Sequence, residues 1–191
     1  MTTPPEQWIT AEDDFVLDQQ SDSKLAYYDG IIVAQAGSTA HYNLIVTNLI
    51  GHVYPQTQQN GCRIFPGDMR VQAIDQRIYT YPDLTIVCAT PPYTEPNEMT
   101  LINPTVIIES LSPSTETHDR KETFLYYRTS TSLQEYILIA QHTPYVQRHT
   151  CQTPRFWHIH LADLIVDQIT LETIGCTIRL HTYTGIDFSD S

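Results

Sequence analysis

Apolar and polar positions alternate along the chain in a way that separates short helical and extended segments. Thr10 precedes an acidic turn, which predicts a short helix over residues 10–20. Two strand-like segments then flank Asp29-Gly30, the dipeptide that is favoured in two-residue hairpin turns. We therefore predict an N-terminal β-hairpin over residues 24–35.

A longer helix is predicted after the hairpin. Ser38 can cap it, and Pro55 stands where such a helix would stop. Its apolar positions recur at helical spacing and would pack on a sheet: Leu44, Ile45, Leu49 and Val53.

Extended apolar segments dominate the rest of the chain. One further helix is predicted from Thr117 or Asp119 through Arg128. The predicted strands cover residues 62–65, 69–73, 84–89, 106–111, 135–140, 145–149, 156–160 and 176–180. We therefore expect an α/β fold, in which about three helices flank a mixed central sheet.

Length and composition favour one domain. The 191 residues are 41% hydrophobic, enough for a substantial core, and no repeat or internal boundary is evident. We expect a single domain over residues 1–191, with short flexible ends at about 1–8 and 184–191. The chain starts without a basic region followed by an apolar segment, and its apolar runs have strand length. We expect a soluble, cytoplasmic protein with no membrane partner.

The four cysteines are scattered without close pairs, and three of them lie in apolar, strand-like surroundings. This pattern suggests neither a zinc site nor a disulfide framework. We expect reduced core residues at Cys62, Cys88, Cys151 and Cys176.

The charge balance opposes nucleic-acid binding. Ten basic and twenty-two acidic residues give a net charge of −12, which repels a phosphate backbone and is otherwise typical of a soluble surface. Bound cations or a local basic strip could overcome this field. The candidates for that strip are Arg120, Lys121, Arg128, Arg148 and Arg155.

Glu109 interrupts an apolar run, residues 106–111, that otherwise reads as a buried strand. An unpaired carboxylate in such a place costs several kcal/mol or more, so we expect a charge partner, a proton or a metal ion. Asp83 introduces the preceding apolar strand, directly after Pro82. These two acids, on successive predicted strands, are the leading candidate site.

Structural explanations stand beside this interpretation. Asp83 can be a strand-start residue that accepts backbone hydrogen bonds. Glu109 can form a structural ion pair with Arg70 or Arg128. Asp119 has the layout of a helix cap and is left out of the catalytic set.

Histidines and aromatic residues give weaker signals. His41 can contact a phosphate or Glu109, or can be a hydrogen-bonded structural histidine. His158 and His160 share one face of a predicted strand, but no third metal ligand is evident nearby, which favours a surface pair. Three aromatic residues could stack on bases, but their helical spacing favours core packing: Phe124, Tyr126 and Tyr127.

A Pro-Asp on one strand and a Glu on the next form the core of the PD-(D/E)XK nucleases, and longer sequence words make the likeness more specific. From about Thr10 to Leu180 the chain resembles the Uma-type family of putative restriction endonucleases, which is abundant in cyanobacteria. The words that carry the resemblance are Tyr27-Tyr28-Asp29-Gly30, His41 with Asn43, Asp68-Met69-Arg70-Val71, Tyr81-Pro82-Asp83, Asn103-Pro104, Glu109 to Thr115, Asp119-Arg120 and Ser132 to Tyr136.

The resemblance implies a restriction-endonuclease-like fold and a Mg²⁺-dependent (or Mn²⁺-dependent) hydrolysis of DNA phosphodiester bonds. Asp83, Glu109 and the backbone carbonyl of Ser110 would hold the metal, whose bound water would become the nucleophile. A homodimer fits the many nucleases of this fold that act on two strands as pairs.

The chain departs from the family pattern at two positions. Ala26 stands where the family has a Glu before the Tyr of the first hairpin. Thr123 stands where the family carries a Lys, four residues after the Asp that matches Asp119, while Leu111 fills the ordinary Lys position of the E-X-K element. Lys121 is the candidate catalytic ammonium group, although it lies about 200° around the helix from Asp119.

Two functions therefore compete. The first is a metal-dependent endonuclease, catalytically weakened by the replacements at 26 and 123. The second is a catalytically inactive family member that acts as a DNA-binding or protein-interaction module.

Overall fold

The computed structural model describes residues 9–35, 39–74, 77–88, 90, 93, 99–111 and 122–184. The predicted flexible ends lie almost wholly outside this set. In chain order the helices and strands are α1 (Ala11–Gln20), β1 (Leu25–Tyr28), β2 (Ile31–Ala34), α2 (Ala40–Gln59), β3 (Arg63–Pro66), β4 (Arg70–Ile74), β5 (Ile78–Thr80), β6 (Leu84–Val87), β7 (Thr100–Leu101), β8 (Val106–Leu111), α3 (Phe124–Tyr127), β9 (Glu135–Ala140), β10 (Val146–Thr153), β11 (Phe156–Ala162), β12 (Gln168–Leu171), a 3₁₀ turn (Glu172–Ile174), β13 (Cys176–Arg179) and α4 (Leu180–Thr184).

A six-stranded sheet in the order β11-β10-β9-β8-β6-β3 forms the centre of the fold. β8 and β9 run parallel, and their other neighbours in this sheet run antiparallel. A five-stranded sheet, β2-β1-β5-β4-β7, and a β12-β13 ladder complete the described strands. The predicted mixed α/β class and the N-terminal hairpin are confirmed, but the strands are divided among these sheets.

The middle of the central sheet is buried on both faces because β6, β8 and β9 are apolar along nearly their whole length. One face packs against α2, the β12-β13 ladder and α4 through residues that include Ile45, Leu49, Ile108, Ile137 and Tyr183. The other face packs against α3 and the five-stranded sheet through residues that include Val71, Ile107, Tyr127, Tyr136 and Leu138.

The longest helix, α2, differs from the prediction at both ends. Thr39 is its cap, accepting a hydrogen bond from the Tyr42 amide, and Ser38 lies outside the described residues. The helix continues through Pro55 to Gln59. Proline removes one backbone hydrogen bond, but the buried turn that follows, at Thr57, holds the helix on the core. None of the helices formed by the described residues is long and apolar enough to cross a membrane.

The first hairpin has the predicted turn. Asp29 and Gly30 have φ of 46° and 96°, and Tyr28 pairs with Ile31 on either side of them. Positive φ at both central positions is the geometry that favours Asp-Gly in a tight hairpin. The predicted leading helix is also confirmed as α1, capped by the Thr10 side chain.

The expectation that all four cysteines are reduced is wrong for two of them. Cys62 and Cys88 form a disulfide, whereas Cys151 and Cys176 are free. Arg63 pairs with Val87 in the β3-β6 ladder, so Cys62 and Cys88 stand opposite each other one step beyond it, with their Cα atoms 4.0 Å apart. They are 26 residues apart in the sequence, so the strand register, and not their spacing, brings them together.

Candidate active site

Asp83 and Glu109 lie side by side where β6 and β8 meet. Leu84 is opposite Ile108 in this antiparallel pair, so the next step of the register places Asp83 opposite Glu109. The Asp83 amide donates to Glu109 Oε2 at 3.2 Å, and the Ser110 amide donates to Asp83 Oδ2 at 2.6 Å. Each carboxylate thus accepts a backbone hydrogen bond from the opposite strand, and the structure brings together the two acids singled out from the sequence.

Tyr42 adds a hydroxyl group to this pair. It lies in the first turn of α2, and its hydroxyl donates to Asp83 Oδ1. Burial, followed by the nearby charge of Asp83, raises the pKa of Tyr42, so its hydroxyl stays protonated and acts as a donor. No sequence pattern singled out Tyr42. The only local signal for it was its position beside His41.

Tyr127 approaches Glu109 from the other side. Its hydroxyl lies 3.4 Å from Glu109 Oε1 and is also hydrogen-bonded to the hydroxyl of Thr80. The prediction that the α3 aromatics mainly pack the core is confirmed. Tyr127 is fully buried, and the Phe124 ring stacks on Tyr136 with a centroid distance of 5.4 Å.

The donor set suits a hard divalent cation. Two carboxylates and the Ser110 backbone meet at one point, and hard oxygen atoms are the ligands that Mg²⁺ and Mn²⁺ prefer. The Ser110 carbonyl accepts a hydrogen bond from Gln141 Nε2 at 3.3 Å, and a carbonyl oxygen carries two lone pairs. Among the described residues no group of three or more His, Cys, Asp or Glu side chains is arranged to hold a metal ion. Waters would therefore supply the remaining ligands, as is usual for Mg²⁺.

Comparison with known proteins identifies the family. The Uma2 family, described as a putative restriction endonuclease, matches residues 11–175. The chain belongs to the Uma2 family. The resemblance drawn from the sequence words is thereby confirmed.

Relatives and a solved structure are consistent with this membership. Two uncharacterised proteins of Synechocystis sp. are similar: sll1609 is 31% identical over 78% of this chain and 84% of its own length, and slr1290 is 26% identical over 96% and 93%. A crystal structure of a putative nuclease belonging to DUF820 from Anabaena variabilis superimposes with a TM-score of 0.76 at 17% identity, covering 93% of this chain and 98% of that one. This match confirms the fold.

The two positions at which the resemblance implies a different residue are both buried. Ala26 is 2% exposed and Thr123 is 4% exposed. Thr123 directly precedes α3 and stands four residues before Tyr127, whose hydroxyl approaches Glu109. Lys121 lies outside the described residues, so its catalytic role stays a prediction.

Two arginines named in the sequence analysis are engaged elsewhere. Arg70 forms buried ion pairs with Asp14 and, at 3.7 Å, with Asp18, so it is not the structural partner of Glu109. Arg148 donates to the Thr170 carbonyl. Gln147 shares the sheet face of Glu109, since both stand opposite Leu138, and Arg148 therefore points to the opposite face. Arg148 therefore does not contribute to a basic strip on the sheet face that carries Glu109.

The histidines fall into two groups. The rings of His41 and His142 meet edge to face, with a centroid distance of 5.1 Å, beside the residues that hold Asp83 and Ser110. His41 Nε2 is buried and has no hydrogen-bond partner among the described residues. His158 and His160 are exposed on β11, opposite Thr150 and Arg148, and form the expected surface pair.

Proposed function

We propose that this chain hydrolyses phosphodiester bonds of DNA with a divalent cation, Mg²⁺ or Mn²⁺, held by Asp83 and Glu109. The observation that carries the proposal is the pairing of two carboxylates from adjacent strands at the position that matches the family motif. Membership of the Uma2 family supports the reaction class.

Three groups of this chain would hold the cation: the Asp83 and Glu109 carboxylates and the Ser110 carbonyl. When bound, a divalent cation supplies Lewis-acid chemistry, lowering the pKa of water and neutralising charge on a phosphate. This neutralisation matters in a chain whose net charge of −12 otherwise repels the substrate.

The surrounding side chains would hold the two acids in place. Tyr42 and the Ser110 amide fix both oxygens of Asp83, and Tyr127 approaches Glu109. Fixed ligands bind a cation with less loss of entropy and without rearrangement. Lys121 is proposed to supply the ammonium group that orients the attacking water, in place of the family lysine at position 123.

Plasmid cleavage with added Mg²⁺ or Mn²⁺ tests the proposal. We expect the purified chain to nick supercoiled DNA only with the cation, and the double variant Asp83→Asn Glu109→Gln to fall to the cation-free level. The Asn and Gln side chains can still accept the backbone hydrogen bonds, so the strands should stay paired.

A matched control makes the same change in charge elsewhere. Glu12→Gln Asp22→Asn neutralises two exposed acids and should cleave like the natural chain. Cation-dependent cleavage that persists in the Asp83→Asn Glu109→Gln chain would show that another site is responsible.

A second candidate function is a catalytically inactive family member that binds DNA or a protein partner. It is favoured by the neutral side chain of Thr123 at the position where the resemblance implies a lysine. Losing a positioned catalytic group commonly costs about 10²-fold or more in rate. The test restores Ala26→Glu and Thr123→Lys together. If the natural chain already cuts DNA as fast as the restored one, the inactive reading is wrong.

A further inference from the structure

Strand β11 ends the central sheet, and its outer side pairs with no strand among the described residues. Large apolar side chains on both of its faces are exposed to solvent. Phe156 is 62% exposed, Ile159 51% and Leu161 55%. The apolar surface continues into the next loop, where Leu164 is 59% exposed and Val166 79%.

This edge lacks the features that normally prevent strands from pairing between molecules. Natural sheet edges are protected by charged side chains, prolines or short length. β11 is seven residues long, Phe156–Ala162, and contains no Asp, Glu, Lys, Arg or Pro. Its only titratable side chains are His158 and His160.

The charge distribution also favours this edge as a contact between copies. A chain with a net charge of −12 repels its own copies over most of its surface. The sequence from Tyr136 to Ala162 contains no Asp or Glu, although the whole chain has twenty-two. Two copies that meet along β11 therefore bring no carboxylates of their β10-β11 hairpins together.

We propose that β11 is the interface of a homodimer, in which it pairs antiparallel with β11 of a second copy. An antiparallel strand pair is self-complementary, because a two-fold axis normal to the sheet maps each strand onto the other and keeps the same face up. The two six-stranded sheets would then join into one sheet of twelve strands. Ile159 and Leu161, which share a face, would meet their counterparts beside the axis.

Sedimentation equilibrium of the full chain tests the proposal. We expect a mass twice that of one chain at tens of micromolar. Ile159→Lys and Leu161→Lys each place two like charges near the axis, and each should weaken dimerisation at least about 10-fold. Ile31→Lys and Val33→Lys are the matched controls, because these side chains are 52% and 48% exposed on β2, the end strand of the other sheet. The controls should dimerise like the natural chain.

Circular dichroism verifies that each variant is folded. If a lysine variant is not folded, it is replaced by Ile159→Thr, which keeps a β-branched side chain. It should weaken the dimer several-fold. Position-specific cross-linking gives an independent readout: in a Cys151→Ser background, single cysteines at 158, 159 and 160 should form an intermolecular disulfide most readily on one face of the strand. A monomeric natural chain, a dimer that survives both lysine changes, or equal dissociation by the β2 controls would each overturn the proposal.

Discussion

Tyr42 links the first turn of α2 to the Asp83 carboxylate through a hydroxyl that burial and the neighbouring charge keep protonated. Side chains that orient a metal ligand without touching the metal commonly contribute strongly to affinity, because they fix the direction of the ligand's lone pairs. Tyr42 is therefore expected to act as a positioning residue, through Asp83.

Tyr42→Phe should raise the Mn²⁺ concentration needed for half-maximal DNA cleavage by about 10- to 100-fold. Only the hydroxyl is lost, so the helix should remain folded. Tyr54→Phe is the matched control, because Tyr54 lies on the same helix but is 48% exposed. An unchanged Mn²⁺ dependence in Tyr42→Phe would remove this residue from the site.

Two acids on apolar strands, Glu109 and Glu135, show why a local sequence pattern cannot separate a candidate site from a structural carboxylate. Glu135 begins the apolar strand β9, and its side chain is fully buried, like an acid at a functional site. It accepts hydrogen bonds from the amides of Glu172 and Thr173, and burial raises its pKa. Glu109 instead stands beside Asp83. The difference depends on partners 26 to 38 residues away, which the local pattern does not contain.

Among the secondary-structure elements, α1 is joined to β4 by an ion pair removed from water. Arg70 and Asp14 are 3% and 0% exposed, and the Arg70 guanidinium also lies 4.3 Å from the centre of the Tyr79 ring. Sequence alone placed both elements correctly, because their boundaries follow from local caps and periodicity. The pairing of Arg70 could not be predicted, because α1 contains four acids and the local pattern does not distinguish among them: Glu12, Asp13, Asp14 and Asp18.

Arg70→Ala should lower the free energy of unfolding by about 3–5 kcal/mol, because it leaves Asp14 buried without its counter-charge. Arg77→Ala breaks the exposed pair with Asp29, in which the Arg77 and Asp29 side chains are 62% and 54% exposed, and should lower the unfolding free energy far less than Arg70→Ala. Urea unfolding of both variants measures the difference. Equal losses would mean that the buried pair adds nothing beyond an exposed one.

At the scale of the whole molecule, the Cys62–Cys88 disulfide joins the edge strand β3 to β6, the strand that Asp83 introduces. It closes a loop of 26 residues, for which chain-entropy arguments give a stabilisation of roughly 3 kcal/mol. The fold class followed from patterning, but this cross-link did not, because it depends on the register of strands distant in sequence.

Reduction should therefore lower the unfolding free energy of the natural chain by roughly 3 kcal/mol, to about that of Cys62→Ser. Cys151→Ser, which removes a free thiol, should respond to reduction like the natural chain. Thiol titration of the denatured, unreduced chain should find two reactive groups. Four would contradict the cross-link.

The hydrogen bonds that Asp83 and Glu109 accept from backbone amides give both acids a structural role. Each acid satisfies an amide of the opposite strand, so replacing either by an apolar residue would leave a polar backbone group without its partner and loosen the centre of the sheet. A chain of this fold without nuclease activity would therefore still need both acids for folding. The presence of both acids is thus explained by the strand pairing alone and does not by itself distinguish an active nuclease from an inactive one.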